Sequence, residues 1–117
     1  MLFRSIVPVG DTASVRSAWA LHARLVRRSL ERGFYQGWDV HPAQLPTRFG
    51  ATYTFFRDSS AMAVDRLDRY LSRRLAGILD EPATARALAR FLLRGLDCGA
   101  LDEEEIGIDR ATLEATA

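Results

Sequence analysis

The 117-residue sequence contains no lysine, so all 16 of its basic residues are arginine. It has one cysteine, Cys98, which excludes an internal disulfide and any metal site built from several cysteines. No apolar run is long enough to span a membrane. The short run within residues 1–10 lacks a signal-peptide cleavage pattern. These absences favour an intracellular, cytoplasmic chain.

Common catalytic signatures are missing as well. The sequence has no glycine-rich phosphate loop, no G-x-S-x-G nucleophile elbow and no metalloprotease motif. Its 16 basic and 15 acidic side chains leave a net charge of +1, which gives no reason to expect a nucleic-acid partner. The hydrophobic content of 48% and charged content of 26% are those of an ordinary globular chain, which argues against wholesale disorder.

The apolar residues that are present recur mostly at helical spacing. Intervals of three and four residues predict helices over 13–32, 43–57, 61–79 and 82–96, with a break at residues 58–60. Asp11 or Thr12 should cap the first helix and Gly33 should end it. A short final helix capped by Asp109 is predicted after the acidic run at 102–105.

One segment is typical of a strand rather than a helix. Residues 34–40 are aromatic and end in a β-branched residue before His41-Pro42, which predicts a short strand. Residues 1–10 are predicted to be a strand or an extended entry segment. A strand among helices leaves its backbone groups without partners. Residues 1–10 could pair with residues 34–40, although a two-stranded sheet is only marginal by itself. The sequence therefore predicts a mainly α chain with one or two short strands, which is either a fragment of a larger fold or completes a sheet on a partner.

The stretch Gly33–Leu45, G-F-Y-Q-G-W-D-V-H-P-A-Q-L, resembles the last barrel strand of the HpcH/HpaI aldolase and citrate lyase family. Members show a Gly-Phe pair at a helix end, then a strand that closes in Ile/Val-His-Pro-x-Gln-Ile/Leu. The residues that match are Gly33, Phe34, Val40, His41, Pro42, Gln44 and Leu45. Many members have a Gly-Lys pair where this chain has Gln36 and Gly37. Residues 25–57 resemble still more closely a bacterial branch known only as aldolase-like.

The resemblance implies a TIM-type barrel that makes or breaks carbon–carbon bonds in 2-oxo acids or acyl-CoA thioesters. Members usually use a divalent metal, Mg or Mn. The family's metal-binding carboxylates and catalytic arginine come from earlier strands, and no segment here matches them. We therefore expect residues 1–57 to be the last barrel repeat, helix–strand–helix, and residues 58–117 to be appended C-terminal helices. This chain should hold no cofactor and should be inactive alone.

Three residues near the end of the predicted strand are candidates for a site, because active sites of such barrels lie at the carboxyl ends of strands. His41 could polarise a substrate carbonyl or be a structural histidine. Asp39 would share a strand face with His41 and could fix its tautomer, bind an arginine, or form a cap or surface pair. Gln44 could bind substrate or cap the following helix. His22, on an apolar helix face, is interpreted as a core histidine, and no metal-ligand set is predicted.

Two partners fit the amphipathic helices at 61–79 and 82–96. One is the remainder of the barrel, and the other is a second copy of the chain. An alternative function follows from the second partner, in which the chain is a stand-alone helical interaction or oligomerisation module without catalysis. Upstream coding sequence with carboxylate-bearing strands would favour the first reading, whereas a compact, stable chain with no such neighbour would favour the second.

Overall fold

The computed structural model describes residues 6–35, 37–77 and 82–117. Over these residues the chain is mainly helical, as predicted, and it contains no strand. A 3-10 turn covers Pro42–Gln44, and the α-helices are α1 (Thr12–Glu31), α2 (Leu45–Leu75), α3 (Pro82–Asp97), α4 (Glu103–Ile106) and α5 (Arg110–Thr116). Within the described residues, none of these helices is both long enough and apolar enough to cross a membrane.

The chain divides into two compact units, Met1–Phe55 and Phe56–Ala117. The first unit holds α1, the 3-10 turn and the beginning of α2. The second holds the rest of α2 and the three helices that follow. This division lies close to the boundary expected at residue 57.

Both ends of α1 are closed as the sequence predicts. The Asp11 carboxylate accepts a hydrogen bond from the Ser14 amide at 2.7 Å, which satisfies one of the free N–H groups of the first turn. At the other end Gly33 adopts a φ of +86°. The Phe34 amide then donates to the Ser29 carbonyl and the Gly33 amide to the Leu30 carbonyl, which is the Schellman arrangement. The helix buries Ala18, His22, Val26 and Leu30 along one face.

The break predicted at residues 58–60 is wrong, because α2 runs unbroken from Leu45 to Leu75. Ser60 does not cap a new helix; its hydroxyl donates to the Arg57 carbonyl three residues earlier, within the same helix. Burial of Phe56, Ala63 and Leu67 on both sides of the predicted break favours the continuous helix over the local capping preference. Not all apolar residues of α2 are buried: Leu45, Phe49 and Leu75 are exposed.

The predicted strand at residues 34–40 is also not observed. Its described residues, 34–35 and 37–40, form neither a strand nor a helix. A β-ladder needs a second strand beside it, and the described part of the chain offers none. Of the other predicted strand, residues 6–10 are irregular and residues 1–5 lie outside the described residues.

The core of the second unit forms around α3, whose predicted extent is confirmed to within one residue. It buries Ala85, Ala89, Leu92 and Gly95, and α5 packs against it. Gly95 is required by packing, since an added Cβ would lie 2.4 Å from Cδ1 of Leu101. The predicted cap of α5 is confirmed, because the Asp109 carboxylate accepts from the Thr112 amide at 2.9 Å.

Candidate functional site

The irregular segment between α1 and α2 presents apolar side chains to solvent. Trp38 is 96% exposed, Val40 72% and Phe34 67%. In the described part of the chain, the backbone groups of Gly37, Trp38 and Asp39 make no hydrogen bond. Neighbouring large apolar side chains that are exposed to this degree are typical of a surface that another element covers.

Gln44 fixes the end of this segment. The side chain is 1% exposed, and both ends of its amide are used. Its Oε1 accepts from the amides of Val40, at 2.8 Å, and His41, at 3.2 Å. Its Nε2 donates to the carbonyl of Ile6 at 2.9 Å. The capping role considered for Gln44 is thus observed, while its role in substrate binding stays a prediction.

His41 occupies the N-cap position of the 3-10 turn with an extended backbone, φ −149° and ψ 138°. Its Nδ1 accepts from the Ala43 amide at 3.0 Å, so this nitrogen carries no proton and the neutral ring is protonated at Nε2. Within the described residues Nε2 has no partner, and the ring is half-buried. The structural role weighed for His41 is therefore present, and one nitrogen remains available to donate a hydrogen bond.

Asp39 does not contact His41; it binds Arg48 and His22 instead. Oδ1 and Oδ2 of Asp39 accept from Nη2 and Nε of Arg48 at 2.8 and 3.1 Å, a bidentate ion pair. Oδ1 also lies 3.0 Å from Nε2 of His22. The expectation that alternation would place Asp39 beside His41 fails because residues 37–40 do not form a regular strand. Of the roles left open for Asp39, arginine binding is the one observed.

The electrostatics of this cluster favour an ionised Asp39. Hydrogen bonding from Arg48 lowers the pKa of the carboxyl below its usual value of 3.8. Burial acts in the opposite direction and raises it, while His22 lowers the pKa further. The Asp39 side chain is 17% exposed and that of Arg48 25%, so the pair is partly shielded from water. The result is a carboxylate held between two donors.

His22 is 3% exposed, as expected for a core histidine, and each of its two ring nitrogens has a polar partner. Because Asp39 is ionised and can only accept, Nε2 of His22 donates to it. Nδ1 of His22 contacts the hydroxyl of Thr47, which also lies 3.0 Å from the Gln44 carbonyl. These contacts tie α1 to the segment before α2 within the first unit.

Arg48 is the residue of this cluster that sequence reasoning missed. The available signal was weak, namely an arginine in the first turns of a helix that follows a strand-like segment with an aspartate. Beside the cluster lies an open cleft of about 400 Å³, bordered by Trp38, Asp39, Arg48 and Thr52 among others. No three histidine, cysteine or acidic side chains come together as metal ligands in the described ranges. Asp39 is already occupied by Arg48, so these residues do not fit a metal.

Comparison with known proteins identifies a family. The family model described as Domain of unknown function (DUF6986) covers residues 4–117. No curated protein and no solved structure matches the chain. Because the match extends over nearly the whole sequence, the chain belongs to the DUF6986 family.

Proposed function

We propose that the chain is the C-terminal segment of an aldolase- or citrate-lyase-like carbon–carbon lyase, acting in the cytoplasm on 2-oxo acids or acyl-CoA thioesters. On this proposal residues 34–40 dock as the last strand of a TIM-type barrel whose other strands lie outside this chain. The metal-binding carboxylates and any Mg or Mn belong to those strands. The chain alone is inactive.

The observation that carries the proposal is the state of the segment between α1 and α2. Its backbone groups from Gly37 to Asp39 have no hydrogen-bond partner within the described residues, and Trp38 is 96% exposed. A neighbouring strand would satisfy those groups and cover the indole at the same time. If the segment docked as a strand, the order helix, strand, helix would match one repeat of a parallel barrel.

The contacts around the segment suit a strand that is held ready for docking. Gln44 fixes the backbone at Val40 and His41, and the pair of Asp39 with Arg48 fixes the residue before them. His41 would then stand at the carboxyl end of the strand, where barrel enzymes place their chemistry. Its Nε2–H would donate a hydrogen bond to a substrate oxygen. Asp39 would be a positioning residue.

The appended helices give the proposal its second partner surface. Met62 and Leu75 of α2 are 62% and 91% exposed, and they lie in the region expected to contact a neighbouring subunit or the rest of the barrel. The finer assignment of residues 58–117 as subunit-contacting helices rests on the family resemblance.

The test is to express the chain together with the coding sequence that precedes it and to measure metal-dependent cleavage of a 2-oxo acid. We expect activity for the longer protein and none for the chain alone. Trp38→Ser should reduce that activity. Leu75→Ser, an equally exposed apolar position outside the proposed strand, should change the assembly state instead, with a smaller effect on the cleavage rate of the assembled enzyme. Hydrogen exchange at the amides of residues 37–39 should be fast in the isolated chain and protected in the longer protein.

The stand-alone module is the alternative that would replace this proposal. Light scattering coupled to gel filtration distinguishes the two. A compact, monodisperse dimer with fast exchange at residues 37–39, and no upstream carboxylate-bearing sequence, would favour the module. Cleavage of a 2-oxo acid by the purified chain would contradict the proposed division of the active site.

A further inference from the structure

A cleft of about 360 Å³ in the second unit is lined by three arginines of α2. Arg66, Arg69 and Arg73 follow one another at intervals of three and four residues, which places them on one helix face. At a rise of 1.5 Å per residue they span roughly 10 Å along the axis. No carboxylate lines this cleft among the described residues.

Positive charge in the cleft is partly offset, because Arg69 and Arg73 both have interaction partners. Arg69 pairs with Asp65 at 3.1 Å, but both side chains are largely exposed, and such a pair is weak. Arg66 forms no ion pair or hydrogen bond within the described residues. Like charges at helical intervals of three and four destabilise a helix slightly. A bound anion would attract all three arginines and so turn their mutual repulsion into a net stabilisation of the helix.

The other side of the cleft is built for a small organic anion rather than for a bare ion. Thr84 of α3 supplies a hydroxyl group that can donate to an oxyanion, and Tyr70, beside the arginines on α2, supplies another. Ala85 and Leu88 of α3 supply an apolar wall. The volume falls within the range of small-molecule sites.

We propose that this cleft binds a small molecule carrying a diphosphate group. A guanidinium group presents paired N–H donors that match phosphoryl oxygens, and three such groups in a row suit two adjacent phosphoryl groups better than one. The short span of the row favours a compact ligand over an extended polyanion. The proposal does not depend on the lyase assignment, which concerns residues of the first unit.

Isothermal titration calorimetry with inorganic pyrophosphate on the full chain tests the proposal. We expect saturable binding at one site and weaker binding of orthophosphate. Arg66→Gln should weaken pyrophosphate binding about tenfold, the loss expected for one charged hydrogen-bonding partner. The matched control is Arg86→Gln on α3, which removes the same charge from an exposed side chain that does not line the cleft.

Circular dichroism should show equal helix content for both variants, since both arginines are exposed. Absence of saturable heat with pyrophosphate would overturn the proposal. So would equal weakening by Arg66→Gln and Arg86→Gln, which would reveal general attraction to a basic surface. Displacement of pyrophosphate by duplex DNA or by phosphatidylserine vesicles at much lower phosphate concentration would also overturn it, in favour of an extended polyanion or a lipid surface.

Discussion

Replacing Asp39 by Asn tests the cluster that holds the segment before α2. The substitution keeps the shape of the side chain but removes its charge and one acceptor oxygen. Arg48 and His22 then lose their shared anion, although both remain partly or wholly shielded from water, with side-chain exposures of 25% and 3%. Hydrogen bonds to charged groups contribute about 1.5–3 kcal/mol, and exposed pairs less than about 1 kcal/mol. For this intermediate burial we expect a loss of about 2 kcal/mol in the free energy of unfolding.

The measurement is urea unfolding at pH 7 followed by far-ultraviolet circular dichroism. Asp65→Asn is the matched control, because Asp65 also pairs with an arginine but in an exposed i,i+4 geometry. It should change the free energy of unfolding by no more than about 0.5 kcal/mol. Equal effects of the two substitutions would refute the reasoning, since they would mean that burial of the Asp39 cluster adds nothing.

A double-mutant cycle separates the two partners of Asp39. Arg48→Gln combined with Asp39→Asn should lose less than the sum of the single changes, because the bidentate pair is removed in both. The same cycle with His22→Gln should give a smaller coupling energy, since only one contact joins His22 to Asp39.

Two further predictions concern the ionisation of Asp39 and the packing around Gly95. Stability should fall with acidification below about pH 4, because the pKa of Asp39 is lower in the folded state than its usual value of 3.8. The stabilisation by ionised Asp39 is complete above the unfolded-state pKa and disappears as the pH falls through the folded-state pKa. The urea midpoint of Asp39→Asn should therefore depend less on pH in this range than that of the unchanged protein. Gly95→Ala should destabilise the chain by roughly 1–3 kcal/mol, because the added Cβ would overlap the buried side chain of Leu101. The control is Gly50→Ala, whose Cβ would meet no atom within 4 Å and which should stabilise α2 by about 0.5–1 kcal/mol in the same assay.

The helices with strong local signals could be predicted from the sequence. Helix α1 has an aspartate cap, a regular apolar face and a terminal glycine, and these agree with one another, so its bounds were predicted to within one residue. The interior of α2 could not be predicted in this way. Asp58, Ser59 and Ser60 have the chemistry of a helix start, and only the burial of residues on both sides, Phe56 and Ala63, reveals that the helix continues.

The candidate site was predictable in its residues but not in its contacts. His41 and Gln44 lie three residues apart in sequence, so their capping interactions are local and could be anticipated. The partners of Asp39 lie nine residues later, at Arg48, and seventeen earlier, at His22. No local pattern specifies such a pairing, because it depends on how α1 and the first turns of α2 come together. The strand prediction failed for a related reason, since strand formation depends on a neighbour that the described residues do not supply.

The buried amide of Gln44 determines what deamidation would do to the protein and which residues can replace Gln44. Its oxygen accepts two backbone bonds and its nitrogen donates a third, so only an uncharged amide of this length can serve all three. Deamidation to glutamate would replace the donor with a second acceptor facing the Ile6 carbonyl, with nowhere for the new charge to be solvated. A shortening to asparagine would withdraw the amide from the backbone it holds. The position should therefore tolerate fewer residue types than its exposed neighbours Leu45 and Pro46. Hydrolysis of the amide would release Ile6, while the new carboxylate could still accept from the amides of Val40 and His41.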